Sequence, residues 1–232
     1  MNQTEQFQRH DLVWLSAQAW DAIMAGQPPH HDRFMAVFQC WQQQEWPAVV
    51  RRRDAAAGDD EVCIGFALPP QDGYKPKVAA TVKIAHILEH QSALSLNSVI
   101  NAAPAPWQET LRQLQIEASV AGIRFRVYGS LAMQFLTGQT YIGASSDVDL
   151  LFRPQDQEHL VTGLALLVQY QKQMALDGEI IFPQDQAVAW KEWLLSDSVL
   201  DPDNHQKVLV KDLQQVRLME KRDLIHTLAI SA

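Results

Sequence analysis

The sequence predicts an α+β protein of two domains, each with its own sheet. Residues 10–95 combine two segments of helical spacing with strand-like runs that are separated by Gly and Pro turns. The later part of the chain alternates longer helical segments with short apolar strand runs. A connector at residues 98–106, rich in proline and small residues, lies between the two patterns. We therefore expect a small N-terminal α+β domain at residues 1–97 and a C-terminal domain with a mixed sheet at residues 98–232.

Composition restricts the classes of partner. The 232 residues carry a formal net charge of -8, which argues against a general nucleic-acid binder but leaves a local cationic site for a small anion open. Cys40 and Cys63 have no C-x-x-C spacing and are expected to be buried thiols in a reducing cytoplasm. The N-terminus lacks an apolar signal core, and no apolar run is long enough to span a membrane. The sequence thus predicts a cytoplasmic protein with neither a nucleic-acid nor a membrane partner.

The N-terminal domain is predicted to be an antiparallel meander with a helical start. Amphipathic helices precede three strand runs at residues 48–53, 61–68 and 75–83. Basic residues in these runs, Arg51 and Arg52 among them, stand out in an acidic protein. They are either solvated strand ends or contacts for the phosphates of a CoA-like ligand or for an acidic carrier protein. The adjacent His30 and His31 at the entrance to the second helix either contact the ligand or face solvent.

The C-terminal domain is predicted from alternating helix and strand signals. A strand at 123–128 leads through a Gly-Ser turn into a short helix that ends near Gly138, and a strand with two acids follows. A long helix, a hairpin, a short helix, a strand and a closing helix complete the chain, with predicted bounds 155–174, 179–190, 190–193, 207–211 and 213–228. Trp107 to Ala121 is the helix that precedes the first strand, and Asp212 is expected to cap the last helix.

A candidate site lies in the stretch from Arg124 to Phe152. Side chains alternate along a strand, so Asp147 and Asp149 project from one face about 7 Å apart and can hold a divalent cation. The turn at Gly129 and Ser130 opens a helix, where backbone N–H groups and the helix dipole favour phosphate oxygens. Together these features predict a site for a polyphosphate with magnesium. For either acid alone, a solvated strand face is the simpler interpretation.

Several motifs in both halves carry a resemblance to a known family. They are R-H-D-L-V-W-L at 9–15, P-A-V-V-R-R at 47–52, V-Y-G-S-L-A-M-Q at 127–134, S-D-V-D-L-L at 146–151 and D-G-E-I-I-F at 177–182. The spacing of Gly129-Ser130 and Asp147-x-Asp149 resembles the nucleotidyltransferase superfamily, which has the fold of DNA polymerase beta. The fuller motifs resemble the malonate decarboxylase holo-acyl-carrier-protein synthases, which are phosphoribosyl-dephospho-CoA transferases.

The resemblance implies a fold, a reaction and residue roles. It implies a DNA polymerase beta-like C-terminal domain that transfers the prosthetic group of 2'-(5''-triphosphoribosyl)-3'-dephospho-CoA to a serine of the apo acyl-carrier-protein subunit of malonate decarboxylase. Asp147 and Asp149 would bind Mg²⁺ and act in catalysis. A third acid on a neighbouring strand commonly completes such a site, and Glu179 is preferred to Asp177 because it lies inside its strand run.

The expected substrate contacts are Gly129 and Ser130, with Arg51 and Arg52 from the N-terminal domain. Lys191 is a further candidate for a phosphate contact, and Lys211 is weighed with it; each is alternatively a solvated lysine on an apolar stem.

Two other functions remain open at the level of sequence. The chain can be another nucleotidyltransferase that uses ATP or a different nucleoside triphosphate, which an assay with ATP as donor would detect. It can also be a non-catalytic module that binds a carrier protein, with structural acids. Magnesium binding would separate the last class from the enzymes.

Overall fold

The computed structural model describes residues 6–26, 32–70, 74–195 and 205–230. The chain forms two compact units, residues 1–93 and 94–232. His30, His31 and the expected turns at Gly73 and at Asp201-Pro202 lie outside the described residues. Within those described, no helix has the length and apolar character needed to cross a membrane.

The first unit is a five-stranded antiparallel sheet with two helices. The strands run in the order β4-β3-β2-β1-β5, so the meander of β2, β3 and β4 is extended by β1 and β5. The helices follow β1 and precede β2 along the chain. The elements are β1 Leu12–Leu15, α1 Ala17–Ala25, α2 Asp32–Gln43, β2 Ala48–Val50, β3 Glu61–Ala67, β4 Lys77–Lys83 and β5 Ile87–Gln91.

Aromatic side chains form the core of this unit. The ring centroid of Phe66 lies 5.3–6.2 Å from those of Trp20, Phe38 and Trp41, and the centroids of Trp20 and Phe38 are 6.4 Å apart. All four side chains are buried. Such rings bury large apolar areas and fix the helices on the sheet. The strand predicted at 48–53 ends at Val50, so Arg51 and Arg52 lie in the loop after it and not within a strand.

The second unit contains a seven-stranded mixed sheet. The order is β12-β11-β10-β9-β8-β7-β6, and β8 and β9 are the parallel pair in an otherwise antiparallel arrangement. Helices and a mixed sheet confirm the predicted α+β class. The elements are β6 Leu94–Ser95, α3 Leu96–Val99, α4 Ala105–Val120, β7 Phe125–Tyr128, α5 Gly129–Thr137, β8 Val148–Phe152, α6 Gln157–Tyr170, β9 Leu176–Phe182, β10 Gln186–Ala189, α7 Trp190–Trp193, β11 Lys207–Lys211, β12 Val216–Glu220 and α8 Lys221–Ile230.

The two faces of this sheet differ in chemistry. Side chains at Val127, Val148, Leu150, Ile180 and Val188 are 0–1% exposed and form the apolar face. The intervening positions carry the polar residues of β8 and β9, as the period of two requires. Helix α6, which links β8 to β9, supplies the crossover that a parallel pair needs.

A polar clamp joins α4 to α6. The Tyr170 hydroxyl donates a 2.7 Å hydrogen bond to Glu117 Oε1, and Gln169 Nε2 donates to the same carboxylate. Burial, followed by the hydrogen bond to Glu117, raises the pKa of Tyr170 to about 12. The phenol is therefore neutral throughout the physiological range and remains a donor.

The end of the chain differs from the prediction. Asp212 does not cap a closing helix, because β12 intervenes and α8 begins only at Lys221. The Asp212 carboxylate instead accepts hydrogen bonds from the backbone N–H groups of Gln214 and Gln215 and closes the β11–β12 turn.

The two units divide between Ala93 and Leu94, four residues before the boundary drawn from the prolines. Leu94 and Ser95 pair with β7, which ties them to the second sheet. The expected connector at 98–106 is largely ordered: α3 and a 3-10 turn at Ile100–Ala102 precede α4.

Candidate active site

The turn between β7 and α5 brings glycine against a carboxylate. Gly129 has φ +67°, a conformation that glycine adopts at little cost. A β-carbon at this position would stand 2.8 Å from Asp149 Cγ and closer still to Oδ2. The Asp149 carboxylate therefore lies directly on the first residue of α5. The side chain of the N-cap residue, Tyr128, does not cap the helix, and the helix carries no acid in its first turn.

The loop before β8 is held by a glutamine that sequence reasoning missed. The Gln134 amide oxygen accepts hydrogen bonds from the backbone N–H groups of Tyr141 and Ile142, at 3.1 and 3.2 Å. Its Nε2 donates a 2.6 Å bond to the carbonyl of Ala102. Gln134 thus ties α5 both to the segment before α4 and to the loop that leads to Asp147. Its position inside an apolar helix was the only available signal.

A tight turn completes that loop. The Ser146 hydroxyl accepts a hydrogen bond from Gly143 N, and Ser146 N donates to the Gly143 carbonyl, both at 3.0 Å. Asp147 follows this turn immediately and lies one residue before β8, whereas Asp149 lies inside the strand. Both acids are half-buried.

Strand register decides which acids share the polar face. Asp149 pairs with Tyr128 on β7 and with Asp177 on β9. Glu179 pairs with Leu151, two positions farther along β9. Registered partners project to the same side of a sheet, so Asp149, Asp177 and Glu179 share one face. Asp177, the less favoured of the two candidates for a third acid, is the one directly opposite Asp149.

Each acid on β9 faces a lysine. Lys191 Nζ, on α7, lies 3.7 Å from Asp177 Oδ1, and Lys211 Nζ, on β11, lies 3.6 Å from Glu179 Oε1. The Glu179 side chain is 6% exposed and the Lys211 side chain 36% exposed. The predicted phosphate ligand Lys191 therefore lies in the same unit as the acids and beside one of them.

The donor set suits a magnesium ion. Mg²⁺ commonly takes one or two carboxylates from the protein and fills its remaining positions with water and substrate phosphates. Asp147 and Asp149 are two positions apart along the chain, and the Asp149 carboxylate lies beside the N-terminus of α5, so the pair fits that requirement. Among the residues that the structure describes, no three or more His, Cys, Asp or Glu side chains are grouped as a preformed metal site.

Arg51 and Arg52 lie in the first unit and have different surroundings. The Arg51 guanidinium forms an ion pair with Asp54 and donates from Nε to the carbonyl of Ile64 at 3.1 Å. The hydrogen bond to Asp54 raises the pKa of Arg51, and the same bond lowers the pKa of Asp54. Arg52 is exposed. Arg51 thus has a structural task in its own loop.

Comparison with known proteins identifies the family. Family models for the phosphoribosyl-dephospho-CoA transferase MdcG match the N-terminal domain at residues 8–93 and the C-terminal domain at residues 94–222. The chain belongs to the phosphoribosyl-dephospho-CoA transferase family. A phosphoribosyl-dephospho-CoA transferase of Xanthomonas campestris pv. campestris is 36% identical over 219 residues, which cover 93% of this chain and 95% of the relative. One from Bradyrhizobium diazoefficiens is 34% identical over 221 residues, covering 94% and 92%.

Membership in this family confirms the resemblance drawn from the motifs, and it assigns the chain to a transferase family. No solved structure matches the chain. The assignment of the second unit to the nucleotidyltransferase fold therefore stays a prediction, as do the roles of its acids, glycine and lysines.

Proposed function

We propose that this member of the phosphoribosyl-dephospho-CoA transferase family modifies the acyl-carrier-protein subunit of malonate decarboxylase. Its donor is 2'-(5''-triphosphoribosyl)-3'-dephospho-CoA, and its catalytic unit is a DNA polymerase beta-like nucleotidyltransferase domain. The family assignment gives the class of reaction. The observation that carries the proposal within this chain is the contact of the Asp149 carboxylate with Gly129 at the start of α5. It joins a cation-binding group to an anion-binding helix end at one point.

The transfer replaces a phosphoanhydride bond of the donor with a phosphoester bond to the carrier serine. The serine oxygen of the carrier bonds to the phosphorus nearest the ribose, and the bond from that phosphorus to the pyrophosphate oxygen breaks. The serine proton is lost to solvent or to a base, and pyrophosphate leaves with the bonding electrons. Such a reaction depends on positioning and on charge neutralisation, so no covalent enzyme intermediate is required.

This chain's residues would perform the positioning. The backbone N–H groups at Gly129 and Ser130 would hold oxygens of the triphosphate, because the first turn of a helix has amides without intrahelical acceptors. Lys191 would contact a phosphate from the side of β9. Asp147 and Asp149 would hold magnesium, which when bound neutralises the triphosphate and lowers the pKa of an incoming hydroxyl. Glu179 is carried over from the family pattern as a third acid of the site.

The N-terminal unit is proposed to contact the CoA portion of the donor or the carrier protein, with Arg52 as its exposed cation. Arg51 would support Arg52 through the loop that both occupy, because its own guanidinium is engaged by Asp54. The proposed compartment is the cytoplasm, which the two free cysteines, Cys40 and Cys63, support.

One experiment tests the function directly. The apo carrier protein is incubated with the triphosphoribosyl donor, magnesium and this protein, and the carrier is examined by intact-mass spectrometry. We expect the carrier to gain the mass of phosphoribosyl-dephospho-CoA and pyrophosphate to be released in equal amount. A parallel reaction with ATP as donor should leave the carrier unmodified. Modification with ATP alone would instead assign the chain to another nucleotidyltransferase activity.

A further inference from the structure

The polar face of the second sheet carries an ion pair between Glu179 and Lys211, and the proposed reaction gives the pair no joint role. Glu179 and Lys211 lie on β9 and β11, with β10 between them. The strand between them contributes Ala187 and Ala189 to this face, and Lys211 is in register with Ala187. Small side chains on β10 leave room for the lysine stem, so its ammonium group reaches the Glu179 carboxylate at 3.6 Å.

The surroundings of Glu179 suit a lysine partner better than a metal ion. Its side chain is nearly buried, and a buried carboxylate requires a paired cation because it has lost its hydration. A divalent ion on the same carboxylate would stand close to the Lys211 ammonium group, and two cations at this separation repel each other in a poorly solvated site. Glu179 also lies about 6.6 Å farther along β9 than Asp177, the residue opposite Asp149.

Lys211 differs from Glu179 in its access to solvent. About a third of its side chain is exposed, so the ammonium group can meet a ligand while the carboxylate fixes it. The ion pair of Glu179 and Lys211 lies on the face that also carries Asp149 and Asp177. The positive charge of Lys211 offsets negative charge on this face, which would otherwise repel an anion. A long side chain that is already ordered loses less entropy when it binds a phosphate.

We propose that Lys211 is a polyphosphate-binding residue and that Glu179 is a positioning residue that acts through it. The ligand class is an inorganic or esterified polyphosphate, and in the reaction it is the pyrophosphate portion of the donor. This inference rests on the proposed function for its substrate, but the lysine subsite itself can be tested without transfer. It also gives Glu179 a role different from that of the third metal ligand carried over from the family pattern.

The first test measures the binding of inorganic pyrophosphate by calorimetry at a fixed magnesium concentration. Loss of one charge-assisted contact should weaken binding by about tenfold in Lys211→Met. That variant removes the ammonium group beside the buried Glu179 carboxylate and can be unstable, so Lys211→Met with Glu179→Gln is measured beside it and should show the same loss. Lys207→Met is the matched control, because Lys207 is exposed on the same strand and the same face. Wild-type affinity in the folded double variant would overturn the proposal.

The second test separates positioning from metal binding. Glu179→Gln should weaken pyrophosphate binding by about two- to tenfold, the cost of ordering a free lysine, and should raise the KM for the donor more than it lowers kcat. The magnesium concentration that gives half-maximal transfer should stay within about twofold of the wild type. A rise of about tenfold or more would make Glu179 a metal ligand and end the positioning role.

The calorimetric outcomes are independent of the transferase activity. Calorimetry with pyrophosphate uses neither the donor nor the carrier protein. If the wild type fails to modify the carrier while Lys211→Met still weakens pyrophosphate binding, the subsite stands and the proposed function falls. If the wild type modifies the carrier and the folded variants bind pyrophosphate normally, the function stands and the subsite falls.

Discussion

At the scale of single residues, Gly129 has two independent reasons to be glycine. Its positive φ favours glycine, and the space that a β-carbon would occupy is filled by the Asp149 carboxylate. Backbone strain at such a position affects stability, whereas displacement of the carboxylate affects the site. The two effects can be separated because Gly138, at the other end of α5, has a similar φ of +68° but open space where a β-carbon would lie.

We therefore predict that Gly129→Ala loses carrier modification by at least about 100-fold, because Asp149 must move away from the helix start. Gly138→Ala should retain most of the activity. Both should lose about 1–3 kcal/mol of the free energy of unfolding from the strained backbone. Mass spectrometry of the carrier and urea unfolding measure the two quantities. Equal activity in the two variants would mean that the contact between Gly129 and Asp149 has no catalytic importance.

The paired acids give a second prediction at this scale. Asp147→Asn and Asp149→Asn each keep the size of the side chain but remove the charge that a cation needs. Each should abolish transfer within detection while the circular dichroism spectrum stays that of the wild type, because both side chains are half-buried at the edge of the core. Magnesium binding, followed by calorimetry, should weaken in the same variants. Full transfer by both variants with magnesium present would exclude the proposed metal site.

Variants of Arg51 and of its neighbour Arg52 should distinguish a structural role from a role in ligand binding. Arg51→Ala should cost about 1 kcal/mol near neutral pH, because the hydrogen bond to the Ile64 carbonyl is lost together with the Asp54 pair. The contribution of Asp54 requires its ionised form, and its pKa is lowered in the folded state. That contribution is present above the ordinary pKa of the acid and is lost as the pH falls through the lowered value.

The difference in Tm between the wild type and Arg51→Ala should accordingly shrink as the pH falls below about 4. Arg52→Ala should leave the Tm unchanged at every pH, since its side chain is exposed, and should weaken binding of the dephospho-CoA donor. Thermal melts across a pH series and donor binding by calorimetry provide the comparison. A pH-independent difference in Tm would remove the Asp54 pair from the explanation.

At the scale of elements, α5 has a structural role besides the anion binding proposed for its N-terminus. Gln134, one turn beyond its start, fixes the loop that leads to Asp147 through two hydrogen bonds, and it reaches back to Ala102 through a third. Gln134→Leu should reduce kcat about tenfold and cost about 2 kcal/mol, because two backbone N–H groups and one carbonyl lose their partner. Gln139→Leu, an exposed residue just after the helix, is the control and should change neither quantity. Steady-state kinetics and urea unfolding measure the effects.

The elements around the site were predictable because their signals are local. Glycine at positions 129 and 138 marks both ends of α5, and the alternation in S-D-V-D-L-L predicts a strand with acids on one face. The lysine pairs were not predictable. They depend on the register of β9 with β10 and on the placement of β11 beside β10, and the second of these follows from packing between segments that are distant in the sequence.

The prediction for Asp212 was wrong because an aspartate can either cap a helix or close a turn. Asp212 satisfies turn amides with the same carboxylate geometry that caps a helix, so its position before an apolar segment fitted either structure. The segment V-R-L-M-E could be read as the beginning of the closing helix, but it pairs with β11 over five registered positions. Strand pairing therefore decided a region in which local preference was weak.

At the scale of the whole molecule, the division into two units leads to a prediction about where the second unit begins. The prolines near residues 98–106 suggest a start at Ser98, whereas the compact unit starts at Leu94. The difference is β6 and the first two residues of α3, Leu96 and Asn97. Leu94 and Leu96 are 6% and 0% exposed, and Leu94 is registered with Val127 on the strand that leads to Gly129.

A fragment of residues 94–232 should therefore unfold cooperatively, and a fragment of residues 98–232 should not. The shorter fragment lacks two buried leucines, each worth about 1.5–3 kcal/mol, and it exposes the edge of β7. That loss is a large part of the roughly 5–15 kcal/mol that stabilises a typical domain. Thermal melts followed by circular dichroism compare the two fragments, with Leu94→Ala and Leu96→Ala in the longer fragment as the test of the cause. Similar cooperative melts for both fragments would mean that β6 contributes little to the second sheet, and that the edge of the site at β7 is stable without it.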